Sequence, residues 1–318
     1  KLTYEKKSNN FGIKGCTLTK DEKKLIKHHK PWGIILFSRN IKNLNQIKIL
    51  VKNIKSLAND KKYPILIDQE GGSVSRLNNL MDTTTLSQQY FGNIYKKNKN
   101  KFFNYYKAYV NGVCNVLDEI GININTVPVL DVKRDNAHKI IGDRSFSKYP
   151  EKVKKLGKIC TKLYHEKKIG TVMKHIPGHG LSKSDTHTQI SFVNNQKEEL
   201  MKKDFMPFKN SKSLFAMTAH IIYKSYDPFF TATHSKIIIK EIIRKNIGFK
   251  GIIISDDISM KALKYGLKEN ATKALDAGCN LILHCNANIN EMKQLAKIIP
   301  SIDKFTQKKT SQFYNFLG

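Results

Sequence analysis

The chain has 318 residues, 40% of them apolar, with a mean hydropathy of −0.44, which fits one large α/β domain and argues against a disordered chain. Its formal charge is +30, yet 51 of the 56 cations are lysine and only Arg39, Arg76, Arg134, Arg144 and Arg244 are arginine. Nucleic-acid readers lean on arginine for bidentate contacts, and these lysines run from end to end among Asn and Ile, so the charge reads as a composition bias, no nucleic-acid partner is expected, and each retained arginine calls for a structural reason.

In chain order, short apolar runs alternate with amphipathic stretches. The runs are 13–18, 33–37, 63–68, 124–132, 171–175, 214–220, 251–257 and 280–285, eight in all. Each is nearly continuously apolar, as strands buried on both faces are. Helical spacing predicts helices at 43–58, 101–120, 151–167, 196–212, 235–247, 260–276 and 287–298, with a helical tail over about 287–318. In 43–58, for example, Ile47, Leu50, Val51, Ile54 and Leu57 share one face. Eight strands alternating with helices predict an α/β fold of the TIM-type (β/α)8 barrel class, one domain spanning 1–318. A doubly wound sheet is the alternative, but neither a GxGxxG nor a GxxxxGK[ST] loop supports nucleotide binding.

No run of 18 apolar residues is present, so no membrane partner is expected. The segment Lys1–Lys14 is polar and has no apolar signal-peptide core. Cys16, Cys114, Cys160, Cys279 and Cys285 are odd in number and form no CxxC pair. Free thiols in a reducing, cytoplasmic compartment are the expectation.

The polar residues that follow the apolar runs carry the chemistry. Asp68-Gln69-Glu70-Gly71-Gly72 follows the third run, Lys174-His175 ends the fifth, His220 the sixth and Asp256-Asp257 the seventh. A barrel gathers its strand ends at one mouth, so these groups are expected to converge there. Segment 174–187 also holds His179 and His187. Three histidines could bind a metal, but neither HExxH nor HxH spacing is present, and no metal is expected. Asp185 stands two residues before His187, where a carboxylate can hold an imidazole's tautomer. Asp256 is the nucleophile candidate. Only one of Asp256 and Asp257 can face the mouth, because adjacent strand residues point to opposite sides, and the other would cap the following segment.

Taken together, LFSRN (36–40), IDQEGGSVSRL (67–77), GININTVPVLDV (121–132), IGDRSF (141–146), KHIPGHG (174–180), SDTH (184–187), AMTAHIIY (216–223) and GFKGIIISDDISM (248–260) resemble the bacterial β-N-acetylglucosaminidases of glycoside hydrolase family 3, the single-domain enzymes of peptidoglycan turnover. The resemblance implies a retaining exo-β-N-acetylglucosaminidase that works through a covalent glycosyl–Asp intermediate. It implies Asp256 as nucleophile, His187 as general acid/base and Asp185 as its dyad partner. Asp68, Arg76, Arg144, Lys174 and His175 would hold the sugar. The substrate would be a small carbohydrate, an N-acetylglucosamine-containing muropeptide, with no cofactor and a monomeric enzyme. The chain departs from the family pattern at Ser73, at 134–139 (RDNAHK) and in GLSKSDTH, without losing a proposed catalytic residue. Alternatives on the same residues are a phosphorylase, since a neutral His tolerates phosphate better than a Glu would, a non-catalytic glycan- or polyanion-binding barrel, and a metal-dependent hydrolase.

Overall fold

The computed structural model of the chain describes residues 5–134, 141–182 and 190–318. The elements follow in order: β1 (Lys7–Gly12), α1 (Lys20–His29), β2 (Pro31–Leu36), α2 (Leu44–Leu57), β3 (Ile65–Ile67), α3 (Gln88–Lys97), α4 (Lys99–Ile120), β4 (Ile124–Asn125), α5 (Pro150–Glu166), β5 (Gly170–Ile176), β6 (Ser191–Val193), α6 (Lys197–Lys203), β7 (Phe215–Thr218), β8 (Ile221–Tyr223), a π-type helix (Ile238–Asn246), β9 (Ile252–Asp257), α7 (Leu267–Ala277), β10 (Leu281–His284), α8 (Ile289–Ile298) and α9 (Lys304–Leu317). Eight strands close into a parallel barrel in the order β1-β2-β3-β4-β5-β7-β9-β10, while β6 and β8 pair separately. The barrel expected from strand–helix alternation is therefore the fold.

Local chemistry accounts for the element ends. Thr19 and Glu22 form a capping box at the start of α1. Asn43 and Asn98 accept N–H groups at the starts of α2 and α4. The buried face of α2 is Ile47, Leu50, Val51 and Ile54, the stripe that spacing predicted. α9 closes the N-terminal end of the barrel: Trp32 Nε1 donates to Thr310 Oγ1 at 2.9 Å, and Phe313 packs edge-on against Phe215 at 5.3 Å. Burying one such aromatic contributes roughly 1.5–3 kcal/mol.

Several predicted elements shift. The first strand is β1, not 13–18. It carries Asn9 and Asn10, both buried, so an apolar-run criterion passes over it. The run 124–132 shrinks to β4, followed by an isolated bridge between Val129 and Lys174. The helix expected over 196–212 stops at Lys203, and Pro207 sits in the 3-10 turn that follows. The helix expected from residue 260 begins at Leu267, after Gly266. α1 and α3 have no counterpart among the predicted helices. Among the described residues no helix is long and apolar enough to cross a membrane.

Candidate active site

The strand ends converge. Asp68 follows β3, Thr126 follows β4, Lys174 and His175 lie near the end of β5, Asp256 is the last residue but one of β9, and Cys285 follows β10. A cavity of about 170 Å3 opens among them, and its lining includes Asp68, Arg76, Arg144, Lys174, His175 and Asp256. These are all of the predicted site residues that the structure describes. Asp185 and His187 lie outside the described residues.

Two carboxylates and three cations form the floor. Asp68 Oδ1 accepts from Lys174 Nζ at 2.5 Å and Thr126 Oγ1 at 2.6 Å, and its Oδ2 from Arg76 Nη2 at 3.0 Å. Burial alone would raise the Asp68 pKa, but the Lys174 ammonium and Arg76 guanidinium outweigh it and hold it far below the ordinary carboxylate range. Glu70 takes Arg144 in a two-bond fork, Nε to Oε2 at 2.8 Å and Nη2 to Oε1 at 2.7 Å, and also takes Lys174 Nζ at 2.6 Å. Burial opposes ionisation of Glu70 too, and Arg144 and Lys174 reverse it. Lys174 thus bridges both acids from a nearly fully buried position.

A second cluster fixes His175. Asp131 is fully buried and accepts His175 Nδ1 at 2.6 Å and the His179 backbone N–H at 2.7 Å. Burial would raise the Asp131 pKa, but His175, then His179, bring it below its ordinary value. The ionised Asp131 can only accept, so the His175 proton it binds is on Nδ1. His179 is driven down to about 4, chiefly by burial and then by His175, so it is neutral at pH 7.

Both residues of the Asp pair line the cavity, so alternation does not turn one of them away from the mouth, but their carboxylates have different partners. Asp256 lines the cavity, and its Oδ1 accepts the Asp257 backbone N–H at 2.8 Å. The Asp257 carboxylate instead binds Ser259 N–H and Oγ–H and the Cys285 N–H, so it ties two mouth loops together. It caps a turn rather than a helix, since α7 starts ten residues on. On the apolar side, Phe37 carries Arg39 at 4.6 Å and Arg76 at 5.5 Å from its ring centre.

Asp131 and Thr126 belong to the site without having been singled out in the sequence, and Glu70 reaches the mouth as its strand-end position predicts, with a role the sequence does not assign. Asp131 meets the criterion that found Asp68 and Asp256, a carboxylate closing an apolar run. Among the described residues no group of three His, Cys, Asp or Glu side chains is placed to hold a metal.

An eight-stranded barrel with paired carboxylates, an arginine fork and a strand-end Asp at its mouth has the layout of a glycoside hydrolase. The glycosyl hydrolase family 3 N-terminal domain matches residues 3–312, and the chain belongs to that family. It is 34% identical over 280 residues to the beta-hexosaminidase of Tolumonas auensis, covering 86% of this chain and 81% of that protein. It is equally identical over 281 residues to the beta-hexosaminidase of a Neisseria gonorrhoeae strain, at 86% and 76%. Native NagZ from Neisseria gonorrhoeae superposes with a TM-score of 0.87 at 29% identity, covering 98% of this chain and 90% of that one. The complex of that NagZ with N-trifluoroacetyl-D-glucosamine superposes at 0.85, with 30% identity and the same coverage. The family read from the motifs and the enzyme class it implied are both established.

Proposed function

We propose that this glycoside hydrolase is a retaining exo-β-N-acetylglucosaminidase that releases terminal N-acetylglucosamine from peptidoglycan-derived muropeptides in the cytoplasm, as a single domain over 1–318. The observation that carries the reading is Asp256 on the lining of a small cavity whose other polar groups include Asp68, Arg76, Arg144, Lys174 and His175. A cavity of about 170 Å3 is below the roughly 300–1,000 Å3 of drug-sized sites and suits one sugar ring.

A retaining mechanism needs a carboxylate on one face of the anomeric carbon and a proton donor on the other. In the first step an Asp256 oxygen attacks C1, the glycosidic bond breaks, and His187 gives its proton to the leaving oxygen. In the second, His187 takes a proton from water, the water oxygen attacks C1, and the Asp256–C1 bond breaks. Asp185 holds the His187 tautomer and supports the imidazolium. Asp68 accepts from ring hydroxyls while Lys174, Arg76 and Arg144 donate to them. Holding the ring in several fixed bonds makes the attack effectively unimolecular.

The test is hydrolysis of a chromogenic β-N-acetylglucosaminide by the wild type, Asp256→Ala and His187→Ala, with and without phosphate. The expected result is phosphate-independent release of free sugar, near-complete loss in Asp256→Ala, and a drop of roughly 100-fold or more in His187→Ala. Turnover by Asp256→Ala at the wild-type rate would overturn the nucleophile assignment. A sugar 1-phosphate product would make the enzyme a phosphorylase.

A further inference from the structure

The Asp256 carboxylate is aimed by a backbone amide, and that amide is itself held from the neighbouring strand. Asp256 Oδ1 rests on the Asp257 N–H at 2.8 Å. The Asp257 carbonyl lies 2.9 Å from Nε2 of His220, two residues past β7. His220 is buried, and its Nδ1 lies 2.7 Å from Thr233 Oγ1, which lies 2.8 Å from Thr218 Oγ1 at the end of β7.

The hydrogens in this chain are fixed by elimination. A carbonyl cannot donate, so His220 Nε2 carries a proton. Burial first of all lowers the His220 pKa, which keeps the ring neutral, so Nδ1 is bare and accepts from the Thr233 hydroxyl. That hydroxyl has one proton to give, so Thr218 donates to Thr233. The order is Thr218 to Thr233 to His220 to the Asp257 carbonyl.

We infer that His220 is a positioning residue for the nucleophile, setting the direction of the Asp256 carboxylate through the backbone of Asp257. The inference rests on the reading of Asp256 as nucleophile. Asp257 is gripped at both of its other ends: its carbonyl accepts from His220 and from the Met260 N–H at 3.1 Å, and its carboxylate binds Ser259 and Cys285. With those ends fixed, its N–H points in one direction and Asp256 follows it. β7 and β9 are neighbours in the barrel, so the hold crosses from one strand end to the next. Among the described residues the sugar-holding cluster of Asp68, Lys174 and Arg76 makes no hydrogen bond to Thr218, Thr233 or His220, which separates aiming from binding.

The test compares His220→Leu, His220→Gln and Thr233→Val with the wild type. It measures kcat on the aryl glycoside, the inhibition constant of the product N-acetylglucosamine, and the melting midpoint. A misaimed nucleophile costs on the order of 10–100-fold in rate. The expected result is that loss in kcat for His220→Leu with an unchanged inhibition constant. His220→Gln, whose amide reaches about as far as Nε2 and donates, recovers part of it. Thr233→Val frees the ring to turn and loses severalfold in kcat, and it carries the test alone if His220→Leu does not fold. Wild-type kcat in the folded variants overturns the inference, as does a parallel loss of product binding, which marks general distortion. Asp256→Ala separates the two readings. If it is inactive while the His220 and Thr233 variants are not impaired, only the positioning role fails. If it is fully active, the nucleophile reading fails and takes this one with it.

Discussion

Replacing Asp131 with Asn isolates the cluster that sets His175. Wild-type Oδ1 accepts the His179 N–H at 2.7 Å and Oδ2 accepts His175 Nδ1 at 2.6 Å. The amide keeps one oxygen, which can stay on His179, and turns an N–H2 toward the protonated Nδ1. One charge-assisted bond, worth about 1.5–3 kcal/mol, is lost and two donors face each other. His175 answers by moving its proton to Nε2, which restores a weaker bond. The net loss is set at about 2–3 kcal/mol, or roughly 5 °C in the melting midpoint. The reversed tautomer also weakens one substrate bond, about tenfold in kcat/KM. The pH dependence gives the sharper assay. Asp131 titrates below its ordinary 3.8 in the folded chain, so between that folded value and 3.8 the unfolded chain binds more protons. Its stabilisation is therefore complete above the unfolded value and is lost as pH falls through the folded one. Melts of wild type and Asp131→Asn should differ by the full amount at pH 6–7 and draw together in acid. A gap that stays constant down to the acid limit, or no gap at neutral pH, would refute the assignment of Asp131 as an ionised acceptor.

Two other outcomes follow from the same mouth. A Cβ on Gly180 would stand 2.1 Å from the Val132 carbonyl oxygen, so Gly180→Ala must displace the backbone just ahead of the segment bearing His187; turnover should fall by about 100-fold while far-ultraviolet circular dichroism stays native, and unchanged turnover would contradict it. Burial, then the Asp257 and Asp256 carboxylates, push the Cys285 thiol well above 9.0; partly buried on the cavity wall, it should be alkylated by iodoacetamide at pH 8 at least about tenfold more slowly than a free thiol, a rate readable by mass spectrometry, and fast labelling of the native enzyme would count against the carboxylates facing it.

How far the sequence reached depended on whether a signal was local. Asp68, Lys174, His175 and Asp256 were legible because each closes a run buried on both faces, where an ionisable group must either pair or line a mouth. The barrel was legible from alternation for the same reason. β1 was not, because its inward and outward positions include Asn9 and Asn10, and burial of polar side chains is decided by what surrounds them in the closed barrel. Pairings were not legible either. Nothing near Glu70 in the chain announces Arg144, which lies 74 residues on, or ties Asp131 to His175, 44 residues on. Loop return over such distances is a property of the fold, so the sequence named the cations and acids without saying which neutralises which.

The charge itself resolves into two populations with different physics. Lysines form exposed i,i+4 pairs such as Lys203 with Glu199 and Lys245 with Glu241, each worth only about 0.3–0.5 kcal/mol. All five arginines instead hold backbone carbonyls or carboxylates: Arg39 on Ile13 and Cys285, Arg76 on Asp68, Arg134 on Asp204, Arg144 on Glu70, and Arg244 on Phe249 and Gly251. Arg39, Arg144 and Arg244 each use two or more guanidinium N–H groups in one plane, a geometry an ammonium does not supply, whereas Arg76 and Arg134 each hold one carboxylate oxygen through Nη2. Among the described residues the mouth does not share the +30 surplus. Asp68, Glu70, Asp131, Asp256 and Asp257 stand there against Arg76, Arg144 and Lys174, with Arg39 at the rim. The pocket is therefore not a cationic trap. Asp68 and Glu70 are paired with Arg76, Arg144 and Lys174, and what these groups present to a ligand is a set of oriented donors and acceptors rather than a bare cationic surface.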